Sequence, residues 1–253
     1  MKKEYIDGFL LGDGGVGIDR RMKSKKARYR CSLEYREFCK YLIGFFKGTV
    51  SKYNSIKMKQ GFFFEGSTLY SEEAYKQYIR WYPKNKTGKR LKQIPNDVEI
   101  TPISVMMWYL GDGSLVKPED NSTVMLRLST DGFLKEGVLL LAKKLNDIGI
   151  KCHRNNDNRI MVDARGIPAF FNYIGRTSPV KCYDYKFDLP EWRFESKRMK
   201  EVAEELSVSY NRLSHLVKIK KINSFRLSEK GRPRFLPIHI EEAKKLIKVG
   251  ELY

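Results

Sequence analysis

Little in this sequence can hold zinc, cross a bilayer or staple a secreted scaffold. Its 253 residues include only three histidines and four cysteines. No two cysteines form a CxxC pair, and His153, His215 and His239 are scattered, so the usual spacing of zinc ligands is missing. Cys31, Cys39, Cys152 and Cys182 read instead as buried thiols in a reducing, intracellular setting. No apolar run approaches the roughly 20 residues that span a membrane. Met1-Lys2-Lys3-Glu4 opens no signal-peptide pattern. Acidic charge is also scarce: 30 Asp and Glu face 49 Lys and Arg, a formal net charge of +19. That excess suits a polyanionic partner, nucleic acid ahead of an anionic membrane.

What is present is enough for a sizeable core, with 42% hydrophobic and 13% aromatic residues. The positive charge is uneven. Residues 1–95 hold 22 basic and 9 acidic residues, residues 96–190 hold 12 of each, and residues 191–253 hold 15 and 9. Nucleic acid should therefore lean on the first third and the tail.

Two stretches organise the chain. Ile6-Asp7-Gly8-Phe9-Leu10-Leu11-Gly12-Asp13-Gly14 is echoed by Val105-Met106-Met107-Trp108-Tyr109-Leu110-Gly111-Asp112-Gly113, with the two late aspartates 99 residues apart. Each reads as an apolar helix ending in Gly-Asp-Gly. A helix C-terminus carries about half a negative charge, so a carboxylate there is disfavoured. Its repetition suggests that something positive sits between the two ends. The glycine after each aspartate suits a left-handed helix-closing position. Gly8 and Gly12 form a bare strip on one face, which costs about 1 kcal/mol per residue against alanine. Close approach of another helix would explain it.

The elements around the motifs recur in the same order. After the first come Arg20, Arg21, Lys23, Lys25, Lys26, Arg28 and Arg30. They form either a basic β-ribbon suited to a major groove or a solvated loop. Helices are expected over residues 38–46 and 72–82, with strands between. Thr101 and Pro102 announce the second motif helix as cap and first-turn residue. Val124 to Leu128 alternates as a strand, with Arg127 placed opposite Met125. An amphipathic helix follows to Asp147, closed by Gly149, then a strand at residues 160–162 and a helix from Ile167 to Ile174. Tyr183 to Phe187 resembles a last basic-tipped segment. The tail differs. Residues 200–218 read as a helix-turn-helix, with Ala203, Val208, Leu213 and Leu216 inward and Asn211, Arg212 and His215 outward. A helical hairpin that only stabilises the core is the alternative. Arg232 and Arg234 would sit on a basic wing.

The two motifs, with Trp108-Tyr109-Leu110-Gly111-Asp112-Gly113-Ser114 led by Thr101-Pro102, resemble the paired signatures of single-chain LAGLIDADG homing endonucleases. Trp81-Tyr82 and Lys92-Gln93-Ile94-Pro95 resemble the segment that precedes the second signature. The likeness covers about residues 4–189. It implies an α+β fold of two tandem, pseudo-symmetric αββαββα units forming a DNA-binding saddle. The units would be residues 1–95 and 96–189, followed by a linker (190–196) and a helix-turn-helix appendage (197–253).

The resemblance also implies the chemistry. Asp13 and Asp112 match the motif acids that hold divalent metal, with the adjoining Gly12 and Gly111 in the metal set. Lys92 and Lys186 match positions that are often basic near the metals. Mg²⁺ is the expected ion, since it prefers carboxylates, waters and substrate phosphates; Mn²⁺ or Ca²⁺ can substitute in binding. The implied protein is a monomer that cuts both strands of double-stranded DNA. A non-cleaving DNA-binding regulator and an RNA-splicing maturase are the other readings. One departure stands out: Met107 occupies the position that Gly8 holds in the first copy, which predicts an asymmetric helix interface.

Overall fold

The structure is a computed structural model and describes residues 2–18, 25–54, 62–116, 124–188, 196–219, 221–224 and 232–248. The chain divides into a larger unit, residues 1–116 and 125–188, and a smaller one that includes residues 189–253. No helix among the described residues is long and apolar enough to cross a membrane.

The larger unit is built from one element order used twice. Helix α1 (Lys3–Leu11) leads into β1 (Gly15–Ile18) and β2 (Ala27–Leu33), then α2 (Arg36–Gly44), β3 (Thr49–Asn54), β4 (Phe62–Ser67) and α3 (Glu72–Trp81). The second copy runs α4 (Pro102–Asp112), β5 (Gly113–Val116), β6 (Met125–Leu128), α5 (Lys135–Asp147), β7 (Cys152–Arg154), β8 (Ile160–Val162) and α6 (Ile167–Ile174). Both sheets are antiparallel with the same strand order, β1-β2-β4-β3 and β5-β6-β8-β7. The fold is therefore α+β with two tandem αββαββα units.

Period-two burial gives each sheet its inner face. On β2, Ala27, Tyr29, Cys31 and Leu33 point inward, while Arg28, Arg30 and Ser32 alternate outward. On β6, Leu126 and Leu128 are fully buried, and Met125 and Arg127 share the other face. Arg127 is thus beside Met125, not opposite it, because residues two apart on a strand always point the same way.

Helices α1 and α4 pack against each other at the join between the copies. Ile6, Phe9, Leu10 and Leu11 are at most 1% exposed, as are Val105, Met107, Trp108, Tyr109 and Leu110. Each such large side chain contributes about 1.5–3 kcal/mol by leaving water. The glycine strip permits the approach. A Cβ on Gly8 would lie 2.6 Å from the Cα of Ser104, and one on Gly12 would lie 3.3 Å from the Met107 carbonyl oxygen. The small residues facing α1 are Ser104 and Gly111, seven apart and so on one face. Met107 is buried without taking the place of Gly8, and the interface is asymmetric. Ser104 accepts the Thr101 N–H at 2.8 Å, and Thr101 accepts the Ser104 N–H in return, a capping box at the start of α4.

The motif glycines do not adopt the left-handed conformation. Gly113 has φ −91° and ψ 150°, and Gly14 is not among the positive-φ glycines, which are Gly88, Gly149 and Gly175. In the second copy the chain passes directly from helix to strand, and in the first only residues 12–14 intervene. Glycine is needed for its size: a Cβ on Gly14 would overlap the Phe9 ring and carbonyl, and one on Gly113 those of Tyr109.

A buried ion pair fixes the first copy. Asp7 is 0% exposed and takes two hydrogen bonds from Arg80, at 2.5 and 3.0 Å, one from the Trp81 indole at 3.2 Å and one from the Glu99 N–H at 2.8 Å. Four donors offset the cost of burying that carboxylate. The corresponding second-copy position is Met106.

The smaller unit contains a two-stranded ribbon, β9 (Lys197–Arg198) with β10 (Arg234–Phe235), and three helices. They are α7 (Met199–Glu205), α8 (Tyr210–Lys218) and α9 (Pro237–Lys248). Ser209 caps α8 by accepting the Arg212 N–H, and the intervening turn is closed by Val208 N–H to Ala203 O at 3.0 Å. Val202, Ala203, Leu213, Leu216, Phe235 and Ala243 share its core.

Candidate active site

The ends of α1 and α4 bring the two motif acids together. Asp112 is the last residue of α4, and Asp13 lies two residues beyond the end of α1. A Cβ on Gly111 would sit 2.8 Å from a carboxylate oxygen of Asp13 and 2.9 Å from its backbone nitrogen. Glycine at 111 is thus what lets the first acid lie against the second motif.

Two lysines reach the same place from segments far along the chain. Lys92 donates to the Gly14 carbonyl at 2.9 Å, and its ammonium lies 5.6 Å from the centre of the Phe133 ring. Its backbone is held by the Gln93 N–H bonding Trp81 O at 2.7 Å and by buried Ile94. Lys186 closes a 3₁₀ turn, Lys181–Lys186, and is 7% exposed. It donates to the carbonyls of Leu110 at 2.5 Å, Gly113 at 2.9 Å and Tyr109 at 3.4 Å. The Tyr109 hydroxyl returns a bond to Lys186 O at 2.6 Å. Tyr183 lies beneath the ammonium, 4.4 Å from ring centre to Nζ.

Lys186 therefore neutralises the negative end of α4 directly, while Lys92 sits beyond α1 at Gly14, and together they answer the electrostatic puzzle of the sequence. Each also acts across the pair. Burial pushes Lys92 down to about 8, opposed first by Asp112 and then by Asp13. Burial likewise pushes Lys186 down to about 8, opposed first by Asp13 and then by Asp112. The cross-pairing matches from the acid side. Burial and then the Asp13 charge push Asp112 up to about 6, with Lys92 pulling back more than Lys186. Burial raises Asp13 as well, against Lys186 and then Lys92. Asp13 remains solvent-exposed while Asp112 is half-buried, so water screens the Asp13 effect more. Near neutral pH Asp112 is a carboxylate and both lysines are ammonium groups.

Residues 3–166 of this sequence match the family described as LAGLIDADG DNA endonuclease. The chain belongs to that family. Among relatives of this LAGLIDADG protein is the uncharacterized protein MJ1098 of Methanocaldococcus jannaschii, 31% identical over 150 residues, which are 56% of this chain and 54% of MJ1098. The chain thus spans about half the length of that relative. The homing endonuclease I-WcaI, solved bound to its DNA recognition sequence, superposes with a TM-score of 0.59 at 20% identity, covering 73% of this chain and 84% of that one. That similarity shows a shared fold. The N-terminal LAGLIDADG domain of WhiA gives a TM-score of 0.41 at 17% identity over 68% of this chain and 81% of that one.

The other residues singled out from sequence fall elsewhere. Arg20, Arg21 and Lys23 lie outside the described residues. Lys25, Lys26 and Arg30 are exposed at and before β2. Arg28 is half-buried, with its guanidinium 5.3 Å from the Tyr70 ring centre and 4.0 Å from Glu65. Arg127 bonds the Ser114 hydroxyl at 3.3 Å. Asn211, Arg212 and His215 are exposed on α8, with Arg232 exposed before β10 and Arg234 half-buried in it. The basic-tipped segment at Tyr183–Phe187 is helical through Lys186. Carbonyls at the end of α4 recruit the lysine, and the backbone coils to deliver it.

Sequence reading missed Asp7, Arg80, Ser104, Tyr183 and Phe133 as parts of the site's framework. Only Ser104 carried a local signal, as the last residue of a Thr-Pro-x-Ser capping pattern. Asp7 and Arg80 are 73 residues apart, and nothing nearby in sequence marks the pair.

Proposed function

We propose that this protein is a sequence-specific endonuclease that cuts both strands of a long double-stranded DNA site with Mg²⁺, acting as a monomer in intron or intein homing. The observation that carries this reading is the adjacency of Asp13 and Asp112 at two converging helix ends, each faced by a lysine. The donor set suits a hard divalent ion. Asp13 opposes ionisation of Asp112, so two carboxylates held together are better neutralised than left bare. Among the described residues no cluster of three or more His, Cys, Asp or Glu stands ready for a metal. Two carboxylates completed by water and substrate phosphate are within Mg²⁺ practice, and Mn²⁺ or Ca²⁺ can take the same oxygens.

When bound, the ion would supply Lewis acidity and an activated water at the scissile phosphate. Asp13 and Asp112 would hold it, with the backbones of Gly12 and Gly111 alongside. Lys92 and Lys186, lowered to about 8, are matched to pass a proton near neutral pH, and Lys92, which gives one N–H to Gly14, could pair a phosphate oxygen. Arg28, Arg30 and Arg127, on the outer faces of their strands, would contact DNA, with Lys25 and Lys26 beside them. The tail would add a helix-turn-helix, α7 and α8, presenting Asn211, Arg212 and His215.

The test is cleavage of randomised and host-locus duplex pools with Mg²⁺, reading the ends of both strands. Cuts on both strands at one site are expected. Tight binding of a defined duplex without any cut would overturn the nuclease reading and favour a regulator built on the same scaffold.

A further inference from the structure

Glu37 lies in the first turn of α2, outside the acid–lysine quartet, and the chemistry above makes no use of it. Its carboxylate accepts the backbone N–H groups of Lys181 at 2.9 Å and Cys182 at 3.1 Å, 144 and 145 residues away. These are the first two residues of the turn that ends at Lys186. The first N–H groups of a helical turn have no partner within it. A carboxylate there fixes where the turn begins. The two bonds also hold the Glu37 carboxyl below its ordinary range, the mark of an acceptor engaged in its charged form.

The same helix grips the turn a second time. Phe38 packs edge-on against Tyr183 with ring centres 4.8 Å apart, and Tyr35 does so at 5.4 Å. Tyr183 is the ring on which the Lys186 ammonium rests. One helix of the first copy thus holds both the backbone and the aromatic platform of a lysine from the second. The reverse contact has different parts: Lys92 meets the second copy through the Phe133 ring and through Ile94, which lies where a Cβ on Gly137 would touch it at 3.1 Å.

The geometry points to Glu37 as a positioning residue that sets the Lys186 ammonium against Asp13 and Asp112 through the Lys181–Lys186 turn. The inference rests on the reading of Lys186 as part of the cleavage site. Glu37 is itself exposed, and its substitution removes acceptors without opening a cavity.

The experiment compares full-length wild type, Glu37→Ala, Glu37→Gln, Lys186→Met and the double variant Glu37→Ala/Lys186→Met. Three quantities are read: single-turnover cleavage at saturating DNA, DNA Kd, and amide exchange with amine-acylation of Lys186 in the metal-free protein. Loss of both bonds should speed exchange at Lys181 and Cys182 by about tenfold or more and speed acylation of Lys186. Misplacement of the ammonium should slow cleavage by about ten- to a hundredfold with Kd unchanged. Glu37→Gln keeps one acceptor oxygen and should fall between. The double variant should be no slower than Lys186→Met alone, since Glu37 acts through that lysine. Additive losses, a weakened Kd with unchanged single-turnover rate, or unaltered exchange and labelling would each overturn the inference. A wild type that cuts no DNA would defeat the nuclease reading alone, because exchange and labelling still decide whether Glu37 places Lys186.

Discussion

The two copies of the αββαββα unit share topology, strand order and a lysine beside the motif acids, yet they are held in place differently. The first is nailed from within. Asp7 in α1 takes Arg80 and Trp81 from the end of α3, and Arg80 continues to Asp97 at 2.9 Å. The second has Met106 at that position and an apolar aromatic cluster instead, with Tyr109 edge-on to Phe170, Phe171 and Phe187. Polar specificity anchors one half and ring packing the other. Duplicated scaffolds can keep a shared site while replacing the interactions that support it.

Substitutions sharpen this comparison. The largest effect should come from the acids. Asp13→Asn or Asp112→Asn should each reduce double-strand cleavage by about a thousandfold or more, with DNA affinity within a few-fold, measured by gel cleavage and fluorescence anisotropy. Loss of binding with normal chemistry would contradict the assignment.

Next, Asp7→Asn should cost about 2–3 kcal/mol in denaturant unfolding, because it removes the buried charge facing Arg80 and leaves that guanidinium to its pair with Asp97. The equivalent second-copy change, Met106→Leu, should cost under about 1.5 kcal/mol. Equal losses would erase the difference between the copies. Among the lysines, Lys186→Met should slow cleavage by about a hundredfold and Lys92→Met by about tenfold, since Lys186 donates to three backbone carbonyls beside the acids and Lys92 to one. Either change should remove a rate limb with an apparent pKa near 8.

The smallest effect concerns stability and pH. Asp112 has its folded pKa raised from 3.8 to about 6, so the folded state favours the protonated acid. That contribution is present below the unfolded value and is lost as pH rises towards 6. Asp112→Asn should therefore raise the melting temperature of the metal-free protein at pH 7.5 by about 3 °C and leave it unchanged near pH 3.5. A lowered melting temperature at pH 7.5 would contradict the assigned burial cost.

The duplicated architecture was legible because its signals are local: an apolar helix ending in Gly-Asp-Gly that recurs after 99 residues, a Thr-Pro helix start, and alternating strands. The acids were legible from their misfit with the helix dipole. The lysines came from family likeness, since no spacing rule ties Lys92 or Lys186 to a helix end. Arg127 was set on the wrong side of its strand, although period two alone places it beside Met125. Residue type alone suggests a left-handed turn for the motif glycines, whereas the constraint is the bulk of Phe9 and Tyr109 behind them. Burial of Asp7 and the grip of Glu37 on a distant turn depend on contacts across 73 and 144 residues, which no local pattern encodes.

The contact of Gly8 with Ser104 has a consequence for ancestry. A pair of identical first halves would have to seat Tyr5, the residue 99 positions before Ser104, against the backbone that Gly8 leaves bare. In this chain that ring instead stacks on Phe45, with centres 4.6 Å apart. The two halves have diverged into lock and key, and neither can any longer substitute for the other. Their common plan is preserved in topology, and Ser104 is one of the places where the two halves are no longer interchangeable.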